Sequence, residues 1–382
     1  MRSLLEMLEE IEDYRQGNAI KYRLKDILLT GILAMLCNMD DYIEMAFFAK
    51  SQKKYLDIFC DFSKGTPSHD TFGEVFSRLN PKQLSEVFAK WMKELRLSMA
   101  NMAEMTGQAI AIDGKTVRGS RKKDEKGSHI VTAFASELQL VLGQVKTDEK
   151  SNEITAIPEL LELFEVKGNI ITIDAMGTQK SITKVIKEKG GDYVLSVKDN
   201  HKREREDIEY HLESEQKESS KKRLKEQEKY AITRTKDHGR IEVRECYISE
   251  DLEWFDWKEQ WSGLKGCGMI RCRRQQGDQP ETIQDHYFLY SMEKATAQEL
   301  LQIKRGHWAI ENQLHWMLDM SFREDDCRAR TEHAAEVLNL LRKLVLQVLK
   351  GEDTYKCGVK AKRKLCGLGV ETALKVFGLL PS

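Results

Sequence analysis

One stretch governs what this chain can become: Gln108 to Ser120, QAIAIDGKTVRGS. Ala109, Ile110, Ala111 and Ile112 form a short apolar run between Gly107 and Gly114, which reads as a buried strand. Asp113 ends that strand, and Gly114 and the cations Lys115, Arg118, Arg121, Lys122 and Lys123 follow. A carboxylate at the end of a buried strand needs a partner, because an unpaired buried charge is costly. A metal ion or a paired cation would supply one, and the basic side chains suit a polyanion held over such a metal. From these residues alone the other reading is a solvated Asp-Gly turn after a core strand.

Whether a polyanion is the partner cannot be decided by total charge. The chain has 382 residues, of which 32% are charged, but its net charge is only −1. Local clusters must carry that argument. The length predicts two or three domains, and 41% hydrophobic residues suffice for real cores. No apolar run reaches the span of a membrane and no signal-peptide pattern is present, so we expect a soluble cytoplasmic protein without membrane attachment. The eight cysteines form no C-x-x-C pair, so reduced, mostly buried thiols are expected rather than a zinc site.

In chain order, residues 1–100 read as a helical domain. Leu4, Leu5, Leu8 and Ile11 recur at helical spacing, as do Ile27, Leu28, Ile32, Leu33 and Leu36. GTPSHDTF, from Gly65, marks a boundary where Ser68 or Asp70 caps a helix with the apolar face Phe72, Val75, Phe76 and Leu79. Such a domain could contact DNA or simply form a bundle. From residue 105 strands and helices alternate. A strand at Ile110–Asp113 is followed by a hairpin turning at Ser136 and Glu137. A helix at 154–164, the strand NIITID ending at Asp174, a helix at 182–186 and the strand DYVLSV at 192–197 complete the series. This is a mixed α/β sheet with the hairpin at one side, and ligand sites in such sheets gather beyond strand ends. Residues 202–229 read as an exposed charged helix, and 230–292 as a β-rich insertion. Residues 293–350 are helical, with His307, Glu311 and His315 on one face. In the basic tail, 351–382, the cations Lys356, Lys360, Lys362, Arg363 and Lys364 read as a solvated face.

Two strand-end aspartates and a helical glutamate, Asp113, Asp174 and Glu311, are hard oxygen ligands of the kind that hold Mg²⁺ or Mn²⁺. Two such ions can promote in-line displacement at phosphorus. A chain this rich in acids offers many such triples, so the pattern alone is weak. The motifs around them are more specific. AIDGKTVRGS, IDAMGTQ with DYVLSVKDN, HGRIE, and RGHWAIENQLHWMLDMSFRED closely resemble the H-repeat-associated insertion-sequence transposases, which are DDE transposases with an RNase-H-like core. GTPSHDTF resembles that family's leading helical domain, so the resemblance covers about residues 15 to 350.

The resemblance implies an RNase-H-like mixed sheet flanked by helices, with a β-rich insertion and an N-terminal helical domain. The core would comprise 105–229 and 293–350. It implies Asp113, Asp174 and Glu311 as a catalytic triad binding Mg²⁺ or Mn²⁺. It also implies DNA contacts for Lys115, Arg118, Lys198, Arg305 and Asn312, and for His238 and Arg240 of the HGR motif either contact with the DNA end or support of the site. The activity expected is phosphodiester hydrolysis at the element's ends, then 3′-OH strand transfer into target DNA, with at least a homodimer on the inverted-repeat ends. The chain departs from the pattern in lacking a Lys within a turn or two after Glu311 and in reading KDNH at 198–201. Glu324 and Asp325 compete with Glu311 for the third acid. A zinc hydrolase built on His307, Glu311 and His315, a plain nuclease, and an inactive DNA-binding relic are the rival readings.

Overall fold

The apolar run Ala109–Ile112 lies on the third strand from one edge of a nine-stranded mixed sheet in the computed structural model. The structure describes residues 4–17, 20–99, 107–121, 127–147, 153–237 and 239–380. The strands are β1 (Ala109–Thr116), β2 (His129–Ala135), β3 (Leu140–Lys146), β4 (Ile170–Ile173), β5 (Asp192–Val197), β6 (Tyr230–Asp237), β7 (Arg240–Ser249), β8 (Gly266–Gln276) and β9 (Thr282–Tyr290). Their order across the sheet is β3-β2-β1-β4-β5-β9-β8-β7-β6. β1, β2 and β3 are antiparallel, whereas β4 lies parallel to β1 and β5 parallel to β4. This is the RNase-H-like arrangement. The strands of 230–292 continue the sheet: β9 pairs antiparallel with β5, and β8, β7 and β6 follow.

The helices are α1 (Leu4–Leu8), α2 (Leu24–Leu36), α3 (Tyr42–Ser51), α4 (Lys53–Leu56), α5 (His69–Arg78), α6 (Pro81–Met99), α7 (Glu153–Leu160), α8 (Lys180–Glu188), α9 (Lys202–Glu213), α10 (Glu218–Glu226), α11 (Ala297–Ile310), α12 (Trp316–Phe322), α13 (Ala334–Gly351), α14 (Val359–Leu368) and α15 (Val370–Val376). Ser68 caps α5 by accepting the Thr71 N–H, and Phe72, Val75 and Phe76 are buried, as the periodicity predicts. Among the described residues no helix is long and apolar enough to cross a membrane. All eight cysteines are free thiols, and only Cys327 and Cys357 are not buried.

α11 crosses one face of the sheet, and Thr296 caps it by accepting the Glu299 N–H. Beneath it lies a cluster of Ala109, Ile170, Val194, Phe288, Leu300 and Leu301. A larger core continues from the sheet into the N-terminal helices. α13 joins the two, because it packs on β3 and also on α2, α5 and α6. Its buried positions surround nearly the whole helix, including Arg342 and Lys343.

The tail departs from expectation. Lys356, Lys360 and Lys364 are exposed, but Lys362 and Arg363 are buried. Lys362 donates to the carbonyls of Leu349 and Glu352, which close the end of α13. Arg363 donates to the Met35 carbonyl at 2.9 and 2.7 Å, to the Ser321 carbonyl and to Asp40, and stacks 4.1 Å from the Phe322 ring centre. A composition-based reading cannot find this, since the acceptors are helix-end carbonyls far away in sequence. Removing the guanidinium strands those carbonyls and leaves the half-buried Asp40 carboxylate without its partner. Arg363→Met should therefore lower the unfolding free energy by about 3–5 kcal/mol, measured by urea titration. Adding Asp40→Asn should recover part of the loss.

Candidate active site

Strand register builds the site. Ile112 of β1 sits level with Ile173 of β4, and Ile173 level with Leu195 of β5. The next residues, Asp113, Asp174 and Ser196, therefore fall in one row across three neighbouring strands. Successive side chains alternate between faces. In this row they turn toward α11: Thr172, two residues before Asp174, bonds with His307 at 2.9 Å, and Ser196 accepts from Lys304 at 2.5 Å. β1 itself does not stop at Asp113. It runs to Thr116 against β2, while its ladder with β4 ends at Ile112.

Asp174 is fixed by the turn that follows it. Its Oδ1 accepts the N–H groups of Met176 and Gly177 at 3.0 and 3.1 Å, and Thr178 donates to its carbonyl at 2.8 Å. Gly177 is needed there, because a Cβ would lie 2.5 Å from Ile173 Cγ2 and 2.7 Å from Ile157 Cδ1. Glu311 opens a π-turn, Glu311–His315, between α11 and α12. Such turns occur often at functional sites. This one exposes Glu311 at the cleft while His307 and His315 stay inward.

Asp113, Asp174 and Glu311 together line a cleft of about 380 Å³ with Ser196, Lys198, Arg205, His286, Lys304 and Trp308. Burial pushes the Asp113 carboxyl up to about 7, and the charges of Asp174, Glu153 and Glu311 add to the rise. On the opposite face of β1, Glu153 bonds with His129 at 2.7 Å and His129 with Thr116 at 2.8 Å. A Cβ on Gly114 would lie 2.2 Å from Glu153 Oε1 and 2.3 Å from His129 Nε2, so only glycine fits between this pair and Asp113. His315 Nδ1 lies 3.4 Å from Asp113 Oδ2. Burial, with Lys343 and Lys115 nearby, lowers His315 to about 3, so this contact is with a neutral ring. Burial likewise holds Lys304 down to about 8 against the pull of Asp174.

The remaining sequence-derived residues scatter around this cleft. Lys198 lines it and is exposed. Lys115 is turned away, with its ammonium 2.5 Å from Asp319 and 2.8 Å from Glu324. Arg118 is 84% exposed beside Asp325. Arg305 and Asn312 occupy exposed positions on the α11 helix and the π-turn. Arg240 is exposed at the start of β7, 3.8 Å from Glu242, and His238 lies outside the described residues. Of the three acids weighed for the third place, Glu311 reaches the cleft. Glu324 is fully buried between Lys115 and Asn339, and Asp325 faces Arg118. His307 is committed to Thr172 and His315 to Asp113, so the helical face expected for zinc does not converge. Among the described residues no three His, Cys, Asp or Glu side chains form a ready metal cage.

Ser196, Arg205, Lys304 and the Glu153–His129 pair were not singled out from sequence. Ser196 had a signal, since DYVLSVKDN places it one residue before the end of a parallel strand. Lys304 and Glu153 had none, because their roles depend on packing across the sheet.

Comparison with known proteins bears on the whole chain. The family model described as "Transposase DDE domain" matches residues 104–348, and the model "DDE_Tnp_1-associated" matches residues 5–92. The "H repeat-associated putative transposase YhhI" of Escherichia coli K12 is 36% identical over 373 residues, covering 95% of this chain and 94% of that protein. The "Putative transposase YncI" of Escherichia coli O157:H7 is 38% identical over 378 residues, covering 96% and 92%. A piggyBac transposase synaptic complex with hairpin DNA aligns over 99% of this chain and 80% of that one, but at 12% identity and a TM-score of 0.42 the likeness is too slight to argue from. With both family models in chain order and relatives matched almost end to end, the chain belongs to the H-repeat-associated insertion-sequence transposases of the DDE family.

Proposed function

We propose that this transposase cleaves DNA at the ends of its element with divalent metal, Mg²⁺ or Mn²⁺, and then joins the freed 3′ end to a target duplex. The observation that carries the reading is the register that aligns Asp113 with Asp174 under Glu311 in one cleft. Three hard carboxylates without an interposed cation repel one another, and that repulsion adds to burial in raising the Asp113 carboxyl. This donor set fits a hard divalent ion, which keeps positions for water and phosphate rather than filling them with protein. When bound, the metal would supply charge neutralisation at phosphorus and at the attacking and leaving oxygens.

The chain's own groups would do the rest. Asp113, Asp174 and Glu311 would hold the metal, with Asp174 fixed by its two backbone N–H bonds. Lys198 and Arg205, which line the same cleft, would take non-bridging phosphate oxygens. In the first step a water oxygen bonds to phosphorus, its proton passes to solvent, and the bond to the 3′ oxygen breaks, leaving a 3′-OH and a 5′-phosphate. In the second step that 3′ oxygen bonds to a target phosphorus and displaces the target's own 3′ oxygen. No covalent enzyme intermediate forms. Both ends must react together, so we infer at least a dimer on DNA. Arg118, Arg240, Arg305 and Asn312, all exposed, remain our assignments for contacts along the duplex, with His238 beside Arg240 in sequence. Lys115 would reach phosphate only by leaving Asp319 and Glu324.

The direct test is Mg²⁺-dependent nicking of a labelled duplex carrying the flanking inverted repeats. Wild type should cut at the repeat end, and Asp174→Ala should lose on the order of a thousandfold in rate while still binding. Equal cutting by the variant sinks the assignment, and cutting without joining to an added target would leave a plain nuclease.

The raised Asp113 carboxyl, buried and beside like charges, gives a second test. The folded Asp113 binds a proton more tightly than the unfolded residue, so its stabilising contribution is present at low pH and is lost as pH rises through about 7. Asp113→Asn should therefore stabilise the metal-free protein at pH 8 by a few kcal/mol in order of magnitude, and much less at pH 4. Urea titrations at the two pH values measure the difference. Mg²⁺ affinity of wild type should weaken by about tenfold per pH unit below 7, read by calorimetry.

A further inference from the structure

A second cavity, of about 540 Å³, lies between the N-terminal helices and the segment that links α12 to α13. Its wall contains an unusual group. Arg342 of α13 is 1% exposed, and none of its Nε, Nη1 and Nη2 atoms has a hydrogen-bond partner among the described residues. The nearest carboxylate, Glu324, is 3.9 Å away, and its two oxygens already accept from Lys115 at 2.8 Å and Asn339 at 2.7 Å. A buried guanidinium whose three nitrogens all lack an acceptor is costly unless an acceptor arrives.

The other groups around the cavity sharpen the point. Its acids are all engaged. Asp40 pairs with Arg363, Asp41 accepts the Glu44 N–H at 2.8 Å, Glu44 accepts the Asp40 N–H at 2.7 Å, and Asp326 accepts from Arg323 at 3.1 Å. The groups left over are donors. The Tyr42 hydroxyl is buried without a partner and close enough to Arg342 to feel its charge, and Arg328 is exposed with no ion pair among the described residues. The five N–H groups of one guanidinium, a phenol and a second arginine around one space match the acceptor-only surface of a phosphate oxyanion.

We propose that this cavity is a phosphate-binding subsite, distinct from the carboxylate cleft, in which Arg342, Tyr42 and Arg328 hold a phosphate group. The source is a backbone phosphodiester of bound DNA or free phosphate. The site is linked to the catalytic strand. The backbone of its wall packs on the loop after β1, where a Cβ on Gly119 would lie 2.0 Å from the Cys327 carbonyl oxygen, and Arg330 donates to the Gly119 carbonyl at 3.0 Å. A duplex lying across exposed Arg118 would pass the same segment.

The test uses the full chain and inorganic phosphate, titrated by calorimetry at constant ionic strength set with chloride. Wild type should bind phosphate saturably. The double variant Tyr42→Phe, Arg328→Gln keeps the buried Arg342 and so the fold; it should weaken binding by tenfold or more, while Lys198→Ala in the carboxylate cleft should not. Absence of saturable binding, retention of wild-type affinity by the double variant, or loss only in Lys198→Ala each overturns the proposal. With phosphate bound, an added duplex that competes for it assigns the site to DNA backbone; a duplex that binds without competing assigns it to free phosphate. None of these readouts requires cleavage, so they stand or fall apart from the proposed reaction.

Discussion

Parallel pairing of β1 with β4 sets two aspartates side by side, and the rest of the molecule answers that like-charge contact. The register leaves no choice: once Ile112 lies beside Ile173, Asp113 and Asp174 are neighbours on the face that α11 covers. Burial denies Asp113 the water that would screen its neighbours, so its carboxyl holds a proton to about pH 7. The cost is met by surroundings that cannot relax. Gly114 is wedged against Glu153 and His129, Asp174 is tied into its own turn, and neutral His315 closes the remaining side. A site held this way is poised for a cation because apposition of the acids is enforced by the sheet, not by the acids themselves.

Behind the site a second set of buried charges locks the strand exit to the helices. Glu324 accepts from Lys115 of β1 and from Asn339 of α13, and Lys343 of α13 donates to Thr132 of β2 and Gln144 of β3. Burial lowers Lys343 to about 7. Such networks contribute little net stability compared with apolar packing, but they are intolerant of losing one member. Their effect here is to fix the angle between β1 and α13, and α13 also carries the N-terminal helices. The two halves of the chain are thereby joined through the element that supports the strand carrying Asp113.

How much of this could be read from sequence follows from the range of the interactions. The strands leading to Asp113 and Asp174 were legible because a short apolar run ending in Asp is a local signal. DYVLSV likewise matches β5 residue for residue. The hairpin and the α5 cap are also local and were legible for the same reason. What was not legible depends on partners distant in the chain. Lys115 reads as a phosphate contact until β1 is laid against α12, whereupon Asp319 and Glu324 take its ammonium. Arg363 reads as a surface cation until α14 docks on the end of α2 and meets the Met35 carbonyl. The 230–292 segment was legible as strands, but its continuation of the central sheet was not, since edge pairing of β9 on β5 leaves no mark in either strand's composition.

The helix carrying Glu311 shows why local spacing and final geometry can diverge. Read as an unbroken α-helix, residues 307, 311 and 315 share one face, and two histidines flank an acid in a pattern that suggests zinc. The π-turn over Glu311–His315 widens that part of the helix. His307 remains under the helix on Thr172, His315 meets Asp113, and Glu311 is left at the mouth of the cleft. The turn thus leaves the two imidazoles on separate partners and Glu311 in the cleft that the aspartates line. Both the His315 ring and the Glu311 carboxylate thus approach the row of strand-end acids, but the ring is taken up by Asp113, which leaves Glu311 as the free oxygen donor of that turn at the cleft.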